Sequence, residues 1–391
     1  MLILRSTSAT ILFITSICLF GSASPNWAGS LEELQKALQA NDAEVAWRAV
    51  DGIPQKLSPQ EKAQTKSVLR KALKKEWARC AGDIRQSIAA QLAALDAKEA
   101  IPDLLELIRE KKNIEHECAE CGCCFNPVSV SDTFTELQPD FFCENRVLSS
   151  LYSLATFSYA KEISELVEST PPFRPQLLVI LGKIGHPRYA HFIGKFADRE
   201  ALAVAQALGE IKQPSGIPVL AHLLEDSREA VRWTAAQSLT LIGGDRVVDT
   251  VKLRLHHPNK EISALAARTL GVLGVPDGLS VLRNLSRQAE PLRARSLAIA
   301  YLGQLKDPES RAIFIAGLQD KSPLVRTYSI YALGYVGDAS DIPRIEASLL
   351  EVKKMNPTVP ADKEALGLID ETTRETLEQI RKKSRKEGSR R

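Results

Sequence analysis

The chain has 391 residues, 44% of them hydrophobic and 25% charged, with a formal net charge of +3. Such a composition excludes a disordered chain and supplies a folded core, while the low aromatic share of 6% suits helices packed through Leu and Ala. The last eleven residues, 381–391, hold seven Lys or Arg against one Glu, so the rest of the chain sums to −3 and offers no basic groove for nucleic acid.

At the N-terminus Arg5 is followed by an apolar run from Ala9 to Phe20 and then by Gly21-Ser22-Ala23. Small residues after a short apolar run are what a signal peptidase reads, so residues 1–23 are expected to be a signal peptide cleaved after Ala23. The run is shorter than the ~20 apolar residues of a membrane span. The mature protein is therefore expected to be exported, periplasmic or extracellular, with no integral span after cleavage.

Residues 24–80 are expected to form a helical N-terminal cap. Ser30-Leu-Glu-Glu33 has the form of a capping box, and Leu31, Leu34 and Leu38, then Val45, Trp47 and Val50, are expected to give the apolar faces.

From residue 81 to 355 a repeat organises the chain. Leu-Gly-x-(Ile/Leu/Val) occurs at Leu208-Gly209, Leu270-Gly271, Leu302-Gly303 and Leu333-Gly334, with a degenerate copy at Leu239-Thr240, so the leading leucines stand 31 or 32 residues apart. Weaker copies begin at Leu181, Leu154 and Leu92. A fixed period in this range marks stacked supersecondary units. Four residues before the leucines stand Val204, Ala235, Ala266, Ala298 and Ser329, and eight before stand Val231, Ile262, Ala294 and Val325, which paints one helical face. A second helix precedes this one, as in Ile101-Pro102 through Ile108, Ile217-Pro218 through Leu224 and Ile342-Pro343 through Leu350, with proline where a first turn tolerates it. Asp226-Ser-Arg-Glu229 reads as a capping box and Ser322-Pro323 as a helix start.

These units, with Val231-Arg232 and Val325-Arg326 opening the second helix and Leu-Gly closing it, resemble the HEAT-like repeats named after the phycobilisome lyases. The resemblance implies an all-α, right-handed α-α superhelix. It also implies that Arg232, Arg326 and Arg295 support turns carrying Asp226 or Asp320.

A Cys-rich loop insertion at about 113–143 interrupts the repeat. Once Cys18 leaves with the signal peptide, Cys80, Cys118, Cys121, Cys123, Cys124 and Cys143 remain, an even number expected to oxidise to a disulfide framework in an exported chain. Zinc is the alternative, since His116-Glu-Cys118-x-x-Cys121-Gly-Cys123-Cys124 offers soft ligands at tight spacing. A thiol-dependent oxidoreductase using Cys118 and Cys121 is a third reading.

The HEAT-like family includes enzymes. A resemblance to deoxyhypusine hydroxylase implies several His-Glu pairs on facing helices holding two irons, and here one such pair occurs, His116-Glu117; the histidines at 186, 191, 222, 256 and 257 have no following Glu. Gly-rich phosphate loops and a His-Glu-x-x-His helix are missing too. The expected function is therefore a non-catalytic scaffold binding a protein partner, with no enzyme activity and no cofactor. Its contact residues are expected on the second helices, at Trp233, Gln206, Gln237, Arg268 and Tyr331. After a break at Asn356-Pro-Thr-Val-Pro360, residues 356–391 are expected to form a last polar helix from Asp362 to Arg381 and a basic tail suited to an acidic surface.

Overall fold

In the computed structural model, residues 31–40, 42–75, 81–110, 145–355 and 360–388 are described. The expected signal peptide at 1–23, Ser30, Cys80, the expected insertion at 113–143 with His116, Cys118, Cys121, Cys123, Cys124 and Cys143, and the expected break at 356–359 lie outside them. Every regular element among the described residues is helical. They fall into two compact units, 31–211 and 212–388.

The N-terminal unit holds α1 (Leu31–Gln39), α2 (Ala43–Asp51), α3 (Pro59–Leu73), α4 (Ala81–Ala94), α5 (Ile101–Glu110), α6 (Arg146–Leu154), α7 (Ala160–Ser169), α8 (Arg174–Ile184), α9 (Tyr189–Gly194) and α10 (Ala201–Ile211). The C-terminal unit holds α11 (Ile217–Leu223), α12 (Glu229–Ile242), α13 (Asp245–Lys252), α14 (Lys260–Val272), α15 (Pro276–Gln288), α16 (Leu292–Gln304), α17 (Arg311–Gly317), α18 (Pro323–Val336), α19 (Ile342–Val352) and α20 (Pro360–Gly388). Even-numbered helices from α4 to α18 are the second helices of the repeat, and each packs on the next one within its unit.

The leading leucines form the spine of this packing. Leu92, Leu154, Leu181, Leu208, Leu239, Leu270, Leu302 and Leu333 are all buried, as are the small residues four positions before them. The glycine after the leucine has a direct physical reason. A Cβ on Gly182 would stand 2.5 Å from the Cα of Ala207, and one on Gly303 2.6 Å from the Cα of Ala332. Successive second helices touch backbone to backbone there, which only glycine permits.

Two polar devices recur between repeats. A buried aspartate near the start of a first helix takes an arginine from the preceding first helix: Arg70 to Asp103 at 2.6 Å, Arg283 to Asp307 at 2.6 Å and Arg311 to Asp341 at 2.8 Å. A lysine caps the free carbonyls at the end of a neighbouring helix: Lys75 on Leu38, Gln39 and Ala40, Lys183 on Tyr152 and Ser153, Lys383 on Gly334 and Tyr335.

Three expectations need correction. The Asp226–Glu229 capping box does not form, because α12 begins at Glu229 with Arg228 at its N-cap and the Asp226 carboxylate instead accepts from the Arg228 backbone N–H at 2.8 Å and from its guanidinium. Val45 and Trp47 are exposed; of the apolar face expected on α2 only Val50 is buried, together with Ala46. The last helix runs from Pro360 to Gly388, well beyond Asp362–Arg381, with Ala365, Ile369, Thr372, Thr373, Thr376, Leu377 and Ile380 buried. It packs on α18 where a further second helix would stand.

Candidate functional site

The second helices α12, α14 and α16 of the C-terminal unit gather a polar and aromatic cluster. Trp233 of α12 stacks on Tyr301 of α16, centroids 6.1 Å apart and planes at 22°, although α14 stands between these helices in the chain order. Arg268 of α14 lies 4.1 Å over the Trp233 ring and 5.6 Å from that of Tyr301, within cation–π range. Its Nε donates to Gln304 Oε1 at 3.1 Å; Gln304 Nε2 donates to the Tyr331 hydroxyl at 3.2 Å, and that hydroxyl lies 2.9 Å from the hydroxyl of Tyr335. One chain of contacts thus joins α12, α14, α16 and α18.

An ionic ring closes the same place from the helix starts. Glu261 of α14 lies 3.5 Å from Arg232 of α12 and 3.5 Å from Arg293 of α16, and Arg293 also binds Glu229 of α12. Glu229 and Glu261 occupy first turns, where the helix dipole favours an anion; Arg293 occupies a first turn, where it disfavours a cation, so this arginine is held by the two carboxylates and not by its own helix. Arg232 also donates to the carbonyls of Asp226 and Ser227 at 3.0 and 2.9 Å, the turn support its place in the repeat implies. Arg326 does the same for Asp320 at 2.5 Å, whereas Arg295 reaches the Asp320 carboxylate of the next turn at 3.2 Å. Burial pushes the Tyr301 phenol far above its ordinary range, so it stays neutral.

Glu229, Arg232, Trp233, Glu261, Leu265, Leu297 and Tyr301 line an open, shallow hollow whose enclosed space is about 20 Å³. Of the residues expected to make contacts, Trp233 and Arg268 come together here, and Gln237 is exposed a turn further along α12. Tyr331 is buried at 5% exposure and serves the inter-helix network instead of an outer surface. Gln206 belongs to α10 in the N-terminal unit, buried, with its Oε1 meeting no donor. Tyr301, Glu229, Glu261 and Arg293 were not expected. A signal for them exists in hindsight, since charges of opposite sign recur in the first turns of three successive second helices.

The model of the family described as HEAT repeats matches residues 194–255 and 287–353. The chain carries HEAT repeats. Among curated proteins it is similar to the deoxyhypusine hydroxylase of Rattus norvegicus, 29% identical over 237 residues, 52% of this chain and 78% of that protein. The Gallus gallus deoxyhypusine hydroxylase is 29% identical over 218 residues, 48% and 73% of the two chains. Among solved structures, Kap121p bound to Pho4p overlays with a TM-score of 0.41 at 14% identity, covering 88% of this chain and 45% of that one.

The relatives are named as enzymes, and that overturns the expectation of a non-catalytic scaffold without enzyme activity. Nor do they carry the name of the lyases whose repeats the motif resembles, or a name for thiol exchange at Cys118–Cys124. The described histidines do not fit a di-iron centre, however. His186 stacks on Phe157 at 4.4 Å, His191, His222 and His256 are exposed on separate elements, and His257 accepts from the Asn259 backbone N–H at 3.0 Å. Among the described residues no three of His, Cys, Asp or Glu are grouped to hold a metal.

Proposed function

We propose that this protein acts on a protein substrate, which it holds along the second-helix face of its C-terminal unit. The observation that carries this is the Trp233–Tyr301–Arg268 cluster with the exposed amide of Gln237 beside it, an aromatic and arginine surface of the kind that anchors protein contacts. The hollow favours the same reading, because its enclosed space is only about 20 Å³, far below the roughly 300 to 1,000 Å³ of sites that enclose a free small molecule.

The kinship with deoxyhypusine hydroxylases supports an enzyme as the class. No step through iron is assigned, since the described donor set does not fit one. The leader-like residues 1–23 support action on the far side of a membrane.

The reading is tested by placing a photo-crosslinking residue at Gln237 or, on the first-helix side, at exposed Arg246, in the full chain in its own cell. Crosslinks to a defined protein from position 237 and few from 246, with a modified side chain on the captured protein by mass spectrometry, are expected. Equal labelling from both positions would overturn the placement of the substrate.

A further inference from the structure

The ring at α12, α14 and α16 contains a seat that the chain fills itself. Glu229 and Glu261 come from two different helices yet converge on one guanidinium, that of Arg293, while a second guanidinium, Arg268, covers the Trp233 face. Two carboxylates meeting one planar fork is a geometry that suits arginine and not lysine, whose ammonium is a compact point charge. The two arginines differ in how firmly they are kept. Arg268 is tied to Gln304 at 3.1 Å and sits on the ring pair, whereas the Arg293 side chain is 36% exposed and opposes the dipole of its own helix. The Glu261 side chain, by contrast, is only 19% exposed, and both glutamates stay stabilised by their helix starts when a cation leaves.

We infer that the Glu229–Glu261 seat is a recognition site for an arginine side chain of the bound protein, and that Arg293 is its internal occupant, holding the seat closed until the incoming guanidinium displaces it. This rests on the proposed substrate-holding face and adds the chemistry that the face selects. No covalent step is involved: one charge-assisted ion pair is exchanged for another. Leu265 and Leu297 line the hollow and receive the methylene stem of the incoming side chain. Because Arg293 competes from within the molecule, a guest must bring further contacts to win, which makes the seat selective for an arginine in a segment that also engages Trp233 and Gln237.

The experiment measures binding of three acetylated, amidated heptapeptides, glycine and serine with a central arginine, lysine or citrulline, to the full-length protein and to R293A, R293Q and R293A/E261Q. Melting curves and circular dichroism check each variant. R293A and R293Q are expected to bind the arginine peptide at least ten-fold more tightly than the wild type, with the lysine peptide at least five-fold weaker and citrulline without saturable binding. Adding E261Q returns affinity to the wild-type level or below. Equal affinity of R293A and wild type, or no preference for arginine over lysine in folded R293Q, overturns the seat. Arginine-selective binding without crosslinks at Gln237 would keep the seat and defeat only the substrate-holding face; crosslinks without that selectivity would do the reverse.

Discussion

At the scale of single residues, the glycines of the repeat differ in ways their shared motif hides. A Cβ on Gly303 meets the backbone of Ala332, which cannot yield, whereas one on Gly334 meets first the Oε1 of Gln379, the far end of a flexible side chain, at 2.7 Å. Alanine gains up to ~1 kcal/mol over glycine inside a helix, and forcing helices apart costs roughly 1–3 kcal/mol. Gly303→Ala is therefore expected to lower stability by about 1 kcal/mol and Gly334→Ala to leave it unchanged or raise it slightly, read from urea unfolding of the two variants. Asp307 ties the stability of the fold to pH on the acid side. Burial alone raises the Asp307 carboxyl, but hydrogen bonds from Arg283 and Ser310 outweigh it and hold the group below the ordinary carboxylate range. A depressed folded value means a contribution present above the unfolded value of about 3.9 and lost as pH falls through the folded one. Arg283→Met is expected to cost about 3 kcal/mol at pH 7, the order found for breaking a buried pair. That deficit shrinks below about pH 4; a deficit equal at pH 7 and pH 3 would show that the pair contributes nothing through charge.

At the scale of elements, α20 closes the C-terminal unit. It lays seven buried positions over α18, places Asp362 where it accepts from Ser322 Oγ at 2.5 Å and from the Leu324 backbone N–H at 3.1 Å, and sends Lys383 to the far end of the same helix. One helix thus caps both ends of another. The polar seam it uses is imperfect, because Thr373 is 2% exposed with a hydroxyl that meets no partner. An unpaired buried hydroxyl costs about 1–3 kcal/mol, so Thr373→Val is expected to stabilise the protein by about 1 kcal/mol, less a small loss of helix propensity; thermal unfolding decides, and a lower melting temperature would mean the hydroxyl finds a partner. Much of this level was legible in the sequence. The 31-residue period located Leu208 through Leu333 and the paired helices, because burial of one face is a periodic demand. Val45 and Trp47 were misplaced because α2 is short and its face is set by the neighbours α1 and α4, which local spacing does not encode. Asp226 was misread as a cap because Arg228 competes for its carboxylate with both backbone and side chain.

At the scale of the whole molecule, function was less legible than fold, for a physical reason. Trp233 and Arg268 stood out by residue type and repeat position, but the cluster they join is completed by Glu229, Glu261, Tyr301 and Arg293 from three helices, and long side chains reaching across α14, not sequence spacing, bridge α12 and α16. The expectation of no enzyme activity, which the names of the relatives overturn, rested on His-Glu pairs, and the described repeats lack them. The division into units offers a last test. In repeat proteins each unit leans on its sequence neighbours, so a cut between whole repeats leaves intact cores while a cut within one does not. The boundary at 211/212 falls between α10 and α11, that is, after a complete helix pair. A fragment beginning at residue 212 is expected to stay helical and unfold cooperatively, since it keeps α11 packed on α12 and the seal of α20. A fragment beginning at 229 discards α11 and bares the apolar flank of α12 and α13; loss of cooperative unfolding, or aggregation, is expected for it alone. If both fragments unfold alike, the repeats of the C-terminal unit do not depend on their first helices, and the stacked second helices carry the stability by themselves.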